Sequence, residues 1–216
     1  MKLVIGNKNY SSWSLRPWLL LRFHGVPFEE VRVALFREDT RENLARYTDA
    51  GKVPVLHDND LVVWDSLAIC EYVSEHYLNG KGWPAAVKAR AEARSASAEM
   101  HSGFAAIRGN LPMNCKAVNR KITVDSTMQA EIKRVDQLWS TLRSHYSEQG
   151  PWLFGSFSIA DCMFAPMVSR FRSYGIPVSS VSAEYMDRIL TNEHINLWYR
   201  QGREETEIID NAEVGQ

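Results

Sequence analysis

The feature that most constrains this chain is a change of pattern near residue 80. Before it, short apolar runs alternate with helical stretches; after it, strand signals nearly vanish. Residues 2–6 (KLVIG) read as a buried strand. Residues 15–24 read as a helix that tolerates Pro17 in its first turn, and Gly25 with Val26-Pro27 stops it. Residues 30–35 (EVRVAL) alternate as a second strand, and a short helix is expected over 41–47. Residues 53–57 (VPVLH) and 61–64 (LVVW), joined by Asp58-Asn59-Asp60, read as a hairpin, and 66–78 as an amphipathic helix. A strand–helix–strand unit implies a parallel pair, to which the hairpin adds antiparallel strands. Two glycines and a proline in Asn79-Gly80-Lys81-Gly82-Trp83-Pro84 then break the pattern. The expected division is an α+β domain over 1–79, a linker over 80–84 and an all-helical domain over 85–216. Helices are expected at 85–110, 126–148, 158–172, 183–190 and 193–205.

With 216 residues, 45% of them hydrophobic, the chain can bury the cores this division requires. A net charge of -1 argues against a nucleic-acid or polybasic membrane binder. No apolar stretch approaches the length of a membrane span, and the N-terminus reads directly as strand, without a signal peptide. Cys70, Cys115 and Cys162 are widely spaced, which disfavours a disulfide framework, a zinc site or a dithiol motif. No metal is expected, and the expected setting is a reducing cytoplasm.

Three stretches carry chemistry. Asn9-Tyr10-Ser11-Ser12-Trp13-Ser14 places hydroxyls beside a helix N-terminus, where they can cap the helix or hold an anion. In Gly51-Lys52-Val53-Pro54 a proline enters a strand, so the backbone of Val53 can pair with an extended peptide-like ligand. Asp65-Ser66 opens a helix; Ser66 can cap it, its first N–H groups can bind a carboxylate, and Asp65 can hold an ammonium. Together these suit a small peptide with a free amino-acid end. Lys52 is a candidate for the peptide's other carboxylate.

In these motifs the chain resembles the glutathione transferase superfamily over nearly its whole length. The resemblance implies a thioredoxin-like α+β domain followed by an all-α domain, with Val53-Pro54 at the family's cis-proline and Asp65-Ser66 at its acidic/amide–serine pair. Phe157-Ser158-Ile159-Ala160-Asp161 matches its capping box, and Pro166 falls where related members place a helical proline. The serine turn looks most like the Ser-Ser-Cys-Ser motif of the zeta class. Ser11 then takes the catalytic position, Ser12 follows it, Ser14 matches the last serine and Arg16 the first arginine. Trp13 replaces the cysteine and Trp18 the second arginine, departures that count against maleylacetoacetate isomerase activity. The tyrosine-using classes place their tyrosine where this chain has Ile5-Gly6, and the beta-class cysteine is missing.

The resemblance implies glutathione as co-substrate, a cytoplasmic homodimer, a detoxifying role and conjugation to a small hydrophobic electrophile. Rival readings are a maleylacetoacetate-type isomerase and a non-catalytic docking module. A serine hydroxyl is too weak an acid to act as a base, but it can donate to a thiolate. That bond is worth about 1.5–3 kcal/mol, and a helix N-terminus adds about 0.3–1 kcal/mol. At about 1.4 kcal/mol per pKa unit, a bound thiol would fall by roughly one to three units. Ser11 or Ser12 can be the donor, or both can be caps, with Ser14 the simplest cap for this helix. Trp13, Met100, Phe104 and Arg170 are candidates for an electrophile pocket between the domains, His101 also being a candidate pocket residue. The alternatives are core for the Met and aromatic side chains and surface charge for Arg170 and Arg172. Trp18, Cys70 and Cys162 are expected to be structural, and residues 88–94 (KARAEAR) a solvated helix face.

Overall fold

A computed structural model describes residues 1–216. Strand β1 (Lys2–Ile5), helix α1 (Ser12–Phe23) and strand β2 (Glu29–Arg32) form the crossover unit; α2 (Thr40–Ala45), β3 (Val55–Asp58), β4 (Leu61–Trp64) and α3 (Ser66–Tyr77) follow. The sheet order is β2-β1-β3-β4, with β1 and β2 parallel and the other pairs antiparallel. Register places Val4 beside Val31 on one side and Val55 on the other.

The period of two in a strand sorts this sheet into two faces. Leu3, Ile5 and Leu56 point into the main core, while Val4 and Val55 join Val33 and Leu44 in a small core under α2. Helix α1 is buried at nine of its 12 residues because it packs against three helices, α3 and the later Ile159–Tyr174 and Glu193–Glu204. It begins at Ser12, three residues before the sequence pattern suggests. Its cap is Ser11, whose oxygen accepts the Ser14 N–H, so the expectation of Ser14 as cap is corrected.

All remaining regular structure is helical: α4 (Val87–Ser102), α5 (Ala105–Asn110), α6 (Ser126–Tyr146), α7 (Ile159–Tyr174), α8 (Ser180–Leu190) and α9 (Glu193–Glu204), with short 3-10 turns at Ser147–Gln149 and Asp210–Ala212. The single helix expected over 85–110 is two helices. Phe104 adopts a left-handed conformation (φ 56°) after Gly103 and turns the chain. No helix is long and apolar enough to cross a membrane.

One core of 47 buried residues runs through both halves. Central helix α7 packs against α1 and α4, and Trp18 of α1 meets Trp198 of α9 edge-on, ring centres 5.0 Å apart. The expected capping box heads α7: Asp161 accepts from the Ser158 N–H at 2.8 Å and from the Leu153 N–H at 3.1 Å. Within residues 80–84, Gly82 and Trp83 are buried while Gly80 and Lys81 are exposed. Trp83 is 5% exposed and donates to Glu71, and the Ile159 N–H donates to the Gly82 carbonyl. The C-terminal segment closes over the turn before α1. Glu205 accepts from the Lys8 and Asn9 N–H groups, and Glu213 accepts from Tyr10, Asn114 and Arg120.

Candidate functional site

A cleft of about 980 Å³ opens where the N-terminus of α1, the β2–α2 loop, the entry to β3 and the N-terminus of α3 converge. Ser11, Ser12, Trp13, Lys52, Val53, Pro54, Asp65 and Ser66 all line it. These residues are far apart in sequence. The parallel crossover carries α1 to one end of the sheet, and the hairpin delivers β3's entry and α3's start to the same end.

The Val53–Pro54 peptide is cis. Proline lacks an N–H, and neither the N–H nor the carbonyl of Val53 is hydrogen-bonded within the protein, so both are free for a strand-like ligand. Lys52 is exposed and forms no ion pair. Asp65 (φ 74°), not Ser66, is the N-cap of α3, a second correction: one carboxylate oxygen accepts from the Leu67 and Ala68 N–H groups. Its other oxygen lies 3.0 Å from His101 Nε2. Ser66 is 1% exposed, and its oxygen accepts from Arg16 at 3.2 Å. That leaves the Ser66 hydroxyl hydrogen free, and its N–H has no protein acceptor. A carboxylate at this helix N-terminus would find two donors and a favourable dipole.

At the other side of the cleft, the Ser11 and Ser14 hydroxyls share one hydrogen bond at 2.7 Å, and Ser14 Oγ accepts the Gly6 N–H. Ser12 accepts from Arg170 at 3.1 Å. The Trp13 N–H has no protein acceptor. Its indole lies between the Arg16 and Arg108 guanidiniums, 4.3 and 4.8 Å from the ring centre, with His101 against its edge. Burial lowers Arg16 to about 9 and Arg170 to about 10, with further lowering from neighbouring cations. Tyr10 also faces the cleft, but its hydroxyl donates to Glu213 at 2.7 Å.

The four pocket candidates in and beyond α1 separate. Trp13 lines the cleft; Met100 and Phe104 do not, being 1% and 6% exposed in the main core. Arg170 is 6% exposed, donates to the Leu111 carbonyl as well as Ser12, and is buried rather than surface charge. His101 reaches Asp65 instead of open space. Sequence reasoning missed Arg108, which nothing in its own neighbourhood distinguishes from a helix-surface arginine. It also missed Phe36 and Trp64, which line the cleft while 73% and 59% exposed. An exposed tryptophan at a strand end is a signal that could have found the latter.

Comparison with known proteins follows the same geometry. The family model for the glutathione S-transferase N-terminal domain matches residues 10–76, and that for the C-terminal domain matches 125–200. A glutathione transferase homolog from Burkholderia gl BGR1, solved with bound glutathione, aligns with a TM-score of 0.72 at 23% identity, covering 94% of this chain and 98% of that one. Maleyl pyruvate isomerase, a bacterial glutathione S-transferase of the zeta class, aligns at 0.69 and 19% identity over 94% of this chain and 96% of its own. The dichloromethane dehalogenase of Methylorubrum extorquens is 38% identical over 60 residues, 27% of this chain and 21% of the dehalogenase. Two domain models matched in order, on a four-stranded mixed sheet followed by a helical half, make this chain a member of the glutathione S-transferase family.

Proposed function

We propose that the protein is a glutathione transferase that holds glutathione in the cleft and stabilises its thiolate with a serine of the α1 turn. The observation that carries this reading is the convergence of unused groups on one cleft: the Val53 backbone, the Ser66 hydroxyl and N–H, Lys52 and the Trp13 N–H. They suit an extended tripeptide with a carboxylate at each end and an ammonium near Asp65. Trp13 lines the same cleft, with the Arg16 and Arg108 guanidiniums against its indole. Isothermal calorimetry with reduced glutathione, paired with a conjugation assay on an aromatic halide, tests it. The expected result is saturable binding and thiol-dependent turnover; the absence of saturable heat with folded protein would overturn it.

A second reading, glutathione-dependent isomerisation of a maleylacetoacetate-type substrate, is supported by Arg16, Arg108 and Arg170 around the α1 turn. Their charge favours an anionic co-substrate over a neutral one. Isomerase turnover exceeding aromatic conjugation would select it, and the reverse would discard it. A homodimer accords with both readings. Exposed Leu61, Trp64 and Tyr77 on β4 and α3 offer apolar surface for a partner copy, and light scattering measures the mass.

A further inference from the structure

We propose that a second cavity, formed by α7, α8 and α9, binds a small compound bearing two or more phosphate groups. This goes beyond the glutathione reading and does not depend on it. The cavity has a volume of about 610 Å³, and none of its lining residues lines the cleft. Arg172 enters it from the last turn of α7. Asn196, Arg200 and Arg203 follow one another at helical spacing along one face of α9. Leu190 and Tyr199 are its hydrophobic lining.

Three arginines share this cavity with one carboxylate, Glu204, in a chain whose net charge is -1. None of the three is ion-paired. The adjoining groove, which also includes Glu204, is different: there Lys8 pairs with Glu30, and Arg32 with Glu205 and Glu207. Two of the unpaired arginines are held by contacts that leave their outer nitrogens free. Arg203 Nε donates to the Cys115 carbonyl at 3.2 Å, and the Arg172 guanidinium lies 5.6 Å from the Tyr199 ring centre. A cation in a last helical turn offsets the carbonyl end of its helix, which accounts for Arg172 and Arg203 singly. It does not account for their convergence with Arg200 on one concavity.

A guanidinium fork meets a phosphate or a carboxylate with two parallel N–H···O bonds. The volume is that of a small-molecule site and exceeds what one inorganic anion fills. Forks arriving from two helices suit anionic oxygens on neighbouring groups of one ligand. Charge favours phosphate over carboxylate. Each phosphate monoester carries about -1.5 to -2 at pH 7, so two linked phosphates match three arginines and outweigh Glu204. Carboxylates, at one charge each, need three groups to do the same.

The test is isothermal calorimetry of the full chain with inorganic tripolyphosphate, set against ATP, inorganic phosphate and citrate, with thermal melts of every variant. Tripolyphosphate is expected to saturate one site per chain, roughly tenfold or more tighter than inorganic phosphate or citrate, and to weaken with added salt. ATP binding more tightly still names a nucleotide as the source; tripolyphosphate binding as tightly or better names the phosphate chain alone. R172Q, R200Q and R203Q each reduce affinity about three- to tenfold, and E204Q raises it. R188Q removes an exposed arginine of α8 outside the cavity and changes affinity less than about twofold. If R172Q or R203Q lowers the melting temperature, R200Q and E204Q still decide. Folded wild type without saturable heat overturns the proposal, as do cavity variants that bind no more weakly than R188Q. Displacement by excess reduced glutathione also overturns it, because the phosphates would then sit in the cleft. Glutathione titrated alone tests the cleft separately, so either reading can fail while the other stands.

Discussion

Asp65 joins the two halves of the site: one carboxylate oxygen caps α3 through the Leu67 and Ala68 N–H groups, and the other meets His101 Nε2 of α4 at 3.0 Å. Burial holds His101 below its ordinary pKa, so at neutral pH a neutral imidazole donates to the carboxylate. Asp65→Asn keeps an oxygen for the cap and removes the charge that would face a ligand ammonium. The expected outcome is a melting temperature within a few degrees of wild type and glutathione affinity reduced about tenfold or more, the range of a hydrogen bond to a charged group. Unchanged affinity by calorimetry would separate Asp65 from the ligand.

Gly202 sits in α9 against the segment that leads into the serine turn. A Cβ there would lie 3.0 Å from the Asn9 nitrogen and 3.1 Å from the Lys8 carbonyl carbon, both backbone atoms. Backbone cannot step aside as a flexible side chain can, so Gly202→Ala should cost about 1–3 kcal/mol. The neighbouring Asn7 carbonyl accepts from Tyr10 and Ser11, so displacement reaches the cleft. Denaturant melts and glutathione calorimetry should both show a loss; a neutral variant would mean that α9 shifts freely.

Asp161 is fully buried and accepts from the Leu153 and Ser158 N–H groups and the Ser158 hydroxyl. Asp161→Ala strands these donors at the head of the central helix. Each buried unsatisfied group costs about 1–3 kcal/mol, so with three donors a total loss of about 3 kcal/mol or more is expected. Urea unfolding measures it, and a loss under 1 kcal/mol would show that the donors find other partners.

Asp58 accepts hydrogen bonds from Tyr77 and Tyr72 on one oxygen. The Tyr77 bond, and less strongly the Tyr72 bond, holds its carboxyl below the ordinary 3.8, against the opposing effect of burial. A depressed folded-state pKa contributes stability that is present above the unfolded value and disappears as pH falls through the folded one. Tyr77→Phe should therefore be less stable than wild type by about 1 kcal/mol at pH 7, with the gap closing below pH 4. Paired melts at pH 7 and pH 3 check this; a gap of constant size would assign the effect to packing.

The strand–helix alternation, the hairpin and the capping box at Ser158 and Asp161 were readable because each is a local preference repeated in a short window. A proline at the entry of β3 and an Asp-Ser pair at the start of α3 were visible as local signals, but that Asp65 rather than Ser66 caps α3 was not. Met100 and Phe104 were not, because helical spacing marks a residue as apolar without saying which neighbour it meets. The break at Gly103 and Phe104 escaped notice because a left-handed phenylalanine contradicts local preference and is held by surrounding structure. Arg170 was misplaced for a related reason: a buried arginine depends on the Leu111 carbonyl, 59 residues away, and on Ser12, 158 residues away.

By itself the sequence determined the two kinds of secondary structure, their order and the small set of turns that line the cleft. Those features depend on backbone preference and hydrophobic period, which act over a few residues. Only the tertiary structure decided that Arg170 reaches Ser12, which arginines lie against Trp13, and that Glu205 and Glu213 hold the turn from the far end of the chain. Hydrogen-bond partnership and burial are properties of groups brought together in space, and no local window contains both partners.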